Sequence, residues 1–397
     1  MKAPIYRFLF SSLLLVALSV TVAVGETVCE GAIVDCSTTP EATFDQQGRL
    51  WLVSVHQGFL YLQHSDNQAQ SFSTPVKVNA AIERIESRGD SRPQIAVDKA
   101  GRLFISLVQK TEGKYAGMVR FTRSLDQGKS FDKVRTINTD EGLIGHRFVR
   151  MQLDSEGSIL LAWLDKRDRV VAKKKGQKYR GTALYSVRSN DHGVSFSPNI
   201  NLANHSCECC RLASTVDAEE GMYLFWRMIF DKNTRDHALL YLPKDQSVEP
   251  LLRASYDQLQ VDACPHHGPD MEYMNGKLFL TWFSQGDAQS GLMYASYDPQ
   301  SNRFSPTQSL DASPQASHPQ IAGNGKELFQ VWKRFNGENT LILSRVSSDQ
   351  GQSWSKDKVL TQTAGSSDHP RLIRMQNKVY LSWLSADEGY QLLALEH

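Results

Sequence analysis

The stretch "RPQIAVDKAGRLFISLVQ", Arg92 to Gln109, followed by "GMVRFTRSLDQGKSF", Gly117 to Phe131, decides the fold. Apolar and polar residues alternate along short runs, and Asp, Gly and Ser punctuate them. That is the pattern of strands joined by tight turns. The unit recurs as "RFVRMQLDSEGSILLAWLD" with "TALYSVRSNDHGVSF", and again as "HPQIAGNGKELFQVWKRF" with "LILSRVSSDQGQSW". Weaker copies start at Pro40, Arg211, Pro269 and Pro370, which makes seven copies. Each reads as three strands and then a turn into a fourth. A period of about fifty residues carrying four strands predicts a β-propeller, all-β and without a second domain. Seven blades is the expected count, with six as the alternative. Trp163, Trp226, Trp282, Trp332 and Trp383 recur at the end of the second strand, where they are expected to pack between neighbouring sheets. The last copy supplies only three strands, so the segment around "GAIVDC" (31–36) is expected to add the fourth and lock the ring.

The turn Ser124 to Phe131, with its equivalents Ser189 to Phe196 and Ser347 to Trp354, reads S-x-D-x-G-x-S-[F/W]. It resembles the Asp-box (BNR) repeat of the sialidase-like propellers. Ser65 to Phe72 is a degraded copy with Asn67 and Ala69 at the Asp and Gly positions, and Ser296 to Phe304 carries one extra residue. The resemblance covers residues 26–397 and implies a fold; such turns say little about activity. Active members of that family are expected to carry an arginine in an N-terminal F/Y-R-I-P motif, and "CSTTPEATFD" (36–45) has none. Sialoside hydrolysis is therefore not expected, although Arg147, Arg211 and Arg371 remain available to bind a carboxylate. No acid, base or nucleophile can be assigned.

The N-terminus reads as a cleaved export signal over residues 1–25. Lys2 and Arg7 precede an apolar run from Phe8 to Val24, and Ala23 and Gly25 offer small residues for cleavage. No membrane span is expected after cleavage, and the mature chain is expected in a periplasmic or extracellular, oxidising space. The formal net charge of +1 points to neither nucleic acid nor a membrane surface as partner.

The chain has six cysteines, and four fall in "NHSCECCRLAST" (204–215) and "DACPHHGPDM" (262–271). In the repeat register both stretches lie at the start of a first strand. Residues at the other starts are Arg92, His146 with Arg147, His318, and His369 with Arg371, so the set should ring the channel mouth, opposite the S-x-D-x-G turns. Alternation along an extended chain should point Cys207 and Cys209 together, with Cys210 turned away. Cys264 and His266 should likewise share a side. The expectation is one soft ion, copper or zinc, on Cys207, Cys209, Cys264 and His266, with Cys210, His267, His318 and His369 as second-choice ligands. The competing reading is disulfides alone, Cys29 with Cys36 and Cys264 with Cys207 or Cys209. No C-x-x-C-H occurs, so covalent haem is not expected; a nucleotide cofactor is not expected either. The strongly basic loop Leu164 to Gly181 lies on the same face and could draw an acidic protein or glycan partner; a binding scaffold with structural disulfides is the third reading.

Overall fold

The structure of the chain, a computed structural model, describes all residues except 2–31, 246, 264 and 397. Residues 32–396 fold as a seven-bladed β-propeller. Seven antiparallel sheets follow one another along the chain. Five have four strands, the fifth has five, and the seventh has three among the described residues.

The second strands, such as Leu103–Lys110, Ile159–Asp165 and Leu328–Phe335, are sandwiched between neighbouring sheets. Both faces are covered, so these strands read as near-continuous apolar runs instead of alternating. Phe104, Ile105, Leu160, Leu161, Val331 and Trp332 are all essentially inaccessible. The five recurrent tryptophans are fully buried core residues. Each indole N–H finds an acceptor: Asp165 for Trp163, Ser206 for Trp226, Asp257 for Trp282, Asp311 for Trp332, and the Asp368 carbonyl for Trp383. A buried indole left without one would cost about 1–3 kcal/mol.

The first strands are Glu41–Phe44, Gln94–Val97, His146–Leu153, Ala213–Val216, Asp270–Met274, Ala316–Gly323 and Arg371–Met375. Each lies against the next, and the last against the first, so they form the wall of a closed central channel. Two turn types set the spacing. After the first strand, an aspartate (Asp45, Asp98, Asp154, Asp217) accepts the amides two and four residues on. At the S-x-D-x-G turn, Ser124 Oγ donates to Asp126 and accepts from the Gly128 amide, while Asp126 accepts from Ser130. The same bonds recur around Asp191 and Asp349. The degraded copy keeps them with Asn67, and it forces Ala69 to φ +65°.

The expected closing strand is not what the described residues form. Ile33–Cys36 is a single 3-10 turn. Its Val34 inserts among Phe44, Leu50, Leu52 and Tyr380, and Asp35 accepts the Tyr390 amide. The segment plugs the seam as a wedge and does not extend the sheet. Cys36 is disulfide-bonded; Cys29, its expected partner, lies outside the described residues. The basic loop also differs from expectation, because Arg167–Lys174 forms a helix. Asp165 accepts the Arg167 amide at its start and Lys173 and Lys174 close it, the charge order that suits a helix dipole.

Candidate metal centre and channel

Cys207 follows the strand Ile200–Ser206, and the chain then turns through Glu208 and Cys209 to Cys210. Because this is a turn, strand alternation does not apply, and the expectation that Cys210 faces away is overturned. All three thiols converge, buried, unbridged, with their sulfurs within 4.8 Å of one another. Cys207 Sγ and Cys209 Sγ are 4.0 Å apart, roughly twice a disulfide bond length. The Cys207 amide donates to the Arg227 carbonyl, which ties the turn to the next blade. From that blade Arg227 Nη1 reaches Cys210 Sγ at 3.0 Å, and Arg235 Nη1 reaches Cys207 Sγ at 3.2 Å. Arg227 is itself fully buried and also donates to the Phe283 carbonyl at 2.6 Å.

Hydrogen bonds from Cys209 and Cys210, followed by the field of the two guanidiniums, hold the Cys207 thiol well below its ordinary value against the opposing effect of burial. Cys209 is pushed up by its bond to Cys207, and Cys210 is pushed up to about 12 for the same reason first. Of the three, Cys207 is thus the thiol that gives up its proton most readily. Cys209 also borders a cavity of about 160 Å³ walled by Tyr115, Arg147, Lys166, Glu208 and His266. His266 lines the same cavity, but it is not in the group of ligand atoms that converges with Cys207, Cys209 and Cys210. Cys264 lies outside the described residues. Glu208 in the same turn is gripped by Lys166 at 2.8 Å and by Arg169 of the helix.

The other ring residues gather at a second place. Asp90 Oδ1 accepts from Arg211 Nη1 at 2.7 Å, with His369 Nδ1 at 3.4 Å and Arg371 Nη2 at 3.8 Å. Its Oδ2 accepts the Gly268 amide at 3.1 Å. Gly268 has to be glycine, because a Cβ there would lie 2.0 Å from Arg211 Cγ. Arg211 further donates to the carbonyls of Pro269 and Pro319, so one guanidinium ties four blades together. His318 stacks on His369 with centroids 3.4 Å apart, and His267 packs on His318 at 4.6 Å. Burial lowers all three histidines, His267 to about 4. Burial would raise Asp90, but Arg211, His369, His318 and Arg371 together hold it well below the usual carboxylate range. Beside this group Arg92 makes a two-pronged bond to Asp368.

Of the three expected anion-binding arginines, Arg211 and Arg371 line the central channel, a cavity of about 310 Å³. Arg147 does not. It pairs with Glu86 and faces the cavity beside Cys209. A bulge between Ala162 and Leu164, opposite Phe148 at φ +56°, reverses the alternation and turns Arg150 into the channel instead. Asp270, Glu272 and Arg374 share that cavity, and Glu272 accepts from Arg374 at 2.6 Å. Burial pushes Glu272 up to about 7 against the pull of Arg374, and burial first pulls Arg371 down to about 10. His146 joins neither cluster; it is buried with Nδ1 at 2.9 Å from the Gly117 carbonyl. Sequence reasoning missed Asp90, Arg150, Arg227 and Arg235. Asp90 had a signal, as it lies two residues before Arg92 at a strand start.

No protein-family model and no curated protein sequence matches the chain. Solved structures do resemble it. An ulvan lyase of polysaccharide lyase family PL25, bound to -[GlcA(1-4)Rha3S]-, is similar at TM-score 0.58 and 10% identity, over 90% of this chain and 93% of that one. The polysaccharide lyase Uly1 is similar at TM-score 0.54 and 8% identity, over 90% and 88%. The NanB sialidase from Streptococcus pneumoniae is similar at TM-score 0.45 and 10% identity, over 76% and 65%. At such identities the likeness to the lyases is one of fold alone.

Proposed function

We propose that this chain is an exported propeller that holds one soft metal ion, copper(I) before zinc(II), on Cys207, Cys209 and Cys210, with the Cys264–His266 segment as the source of any further ligand. The convergence of three unbridged thiols under two arginines carries this reading. Thiolate sulfur selects copper(I) and zinc over hard cations. Charge then separates the two. Three thiolates around a monovalent ion leave two negative charges, and Arg227 and Arg235 supply two positive ones. A divalent ion would leave a surplus positive charge in a buried site, which is costly. A structural staple needs no arginines on its sulfurs. The N-terminal signal pattern supports export, and no helix among the described residues is long and apolar enough to cross a membrane.

Binding would displace the protons of Cys209 and Cys210, so affinity falls as pH falls, by roughly 100-fold per pH unit for two protons. The test is anaerobic titration with copper(I) followed by thiol alkylation. One equivalent should protect all three cysteines in the trio, counted by peptide mass. Alkylation unaffected by copper would refute the reading.

A second reading, action on an acidic glycan, is favoured by the channel itself, where Arg150, Arg211, Arg371 and Arg374 face Asp270 and Glu272. The polysaccharide lyase neighbours fit it. Release of unsaturated uronate from a uronate-containing polysaccharide, lost in Glu272→Gln, would support it. On either reading the exposed lysines Lys173, Lys174 and Lys175 offer a docking patch to an acidic partner.

A further inference from the structure

We propose that Asp90, His318 and His369, with His267 as a fourth donor, form a second cation site at the channel mouth, separate from the cysteine trio and suited to a divalent ion of intermediate softness such as zinc(II). One ligand atom from each of the first three lies within 4.8 Å of the others. Nitrogen donors around an ion at ~2.1 Å sit roughly 3–3.5 Å apart, so the set closes by a contraction of about 1 Å with the stacked His318 and His369 rings splaying apart.

The observation that points to a ligand is His318. It is 8% exposed, and neither ring nitrogen has a hydrogen-bond partner. His267 Nδ1, one ring away, is likewise buried without a partner. Leaving such atoms unsatisfied costs about 1–3 kcal/mol each, and a bound ion would remove part of that cost. His318 also stands at φ +53° immediately before Pro319, a conformation rarely adopted before proline. Simple packing of a core histidine asks for neither feature.

The surroundings behave as supports for ligands. Arg211 and the Gly268 amide fix the orientation of the Asp90 carboxylate, and the Asp368 carboxylate accepts the His369 amide at 2.6 Å. Two imidazoles and one carboxylate make a donor set for zinc or a neighbouring transition ion, whereas three thiols do not share this chemistry. Arg211 and Arg371 are near enough to Asp90 to weaken a bound cation by repulsion.

The test uses the full chain with Cys207, Cys209 and Cys210 all changed to serine, which removes the trio and makes the result independent of the copper reading. Calorimetric titration with zinc(II) is expected to show one site. Adding His369→Gln or His318→Ala to that background should weaken it at least tenfold. Cobalt(II) should give visible ligand-field bands without a sulfur-to-cobalt band. If the triple variant does not fold, His369→Gln in the otherwise native chain serves. It should lose the weaker zinc equivalent while the sulfur-to-cobalt band stays unchanged. A folded triple variant that binds no zinc, or zinc binding indifferent to both histidine changes, overturns the proposal.

Discussion

Arg227→Met tests the electrostatic half of the copper reading. Methionine approximates the length of the arginine stem but brings no charge and no donor. Arg227 Nη1 lies 3.0 Å from Cys210 Sγ inside the core. At an effective dielectric of ~20, unit charges at that separation attract by about 5 kcal/mol. Arg235, 3.2 Å from Cys207, continues to offset part of the charge, so a loss of about 3–4 kcal/mol is the working figure. That is roughly 200- to 1,000-fold in copper(I) affinity. The assay is competition against a chromophoric copper(I) chelator at fixed pH, with circular dichroism to confirm the fold. Arg227→Lys should fall between, since it keeps the charge and loses the fork that also bonds the Phe283 carbonyl. The thiolate absorbance of the metal-free protein should titrate at higher pH in Arg227→Met, because the field that depresses Cys207 is weakened. A folded Arg227→Met with affinity within threefold of the native chain would refute the argument.

Three further outcomes follow from the same structure. Glu272 is raised from 4.5 to about 7, so the folded state holds its proton more tightly than the unfolded chain; the stability this adds is full below about pH 4.5 and lost as pH rises through about 7. Urea melts should show Glu272→Gln removing up to about 3 kcal/mol of that decline, and identical pH slopes for both proteins would contradict it. Ala69→Gly should raise stability by about 0.5–1 kcal/mol, because Ala69 sits at φ +65° where its equivalents are glycines; a lower melting temperature would show that the alanine side chain contributes more than the strain costs. The purified protein should not release sialic acid from an aryl sialoside, and turnover abolished by Arg211→Ala or Arg371→Ala would restore the glycosidase reading.

The fold was legible because the propeller repeats itself. Seven copies average out local ambiguity, and each tryptophan and S-x-D-x-G turn marks the same point of a blade. The convergence of Arg211, His267, His318 and His369 was legible for the same reason, since strand starts of successive blades must ring the channel. The misreadings came where the chain leaves regular geometry. Cys210 joins its neighbours because Cys207 to Cys210 is a turn anchored by the Arg227 carbonyl, a contact that no local pattern reveals. Arg150 replaces Arg147 in the channel because one bulged residue reverses a strand's alternation. Asp90 and Arg211 are 121 residues apart, and their ion pair emerges only once the ring is closed. The wedge at Ile33–Cys36 was read as a strand because apolar residues at a sheet seam suit either role.

X-ray absorption at the copper edge of protein loaded with one equivalent of copper(I) tests the central claim most directly. The account predicts a first shell of three sulfurs at about 2.2–2.3 Å, as expected of thiolate on a soft ion, and loss of that shell in Cys209→Ser. A first shell of nitrogen and oxygen alone, or copper that does not remain bound to the native chain after desalting, would contradict it.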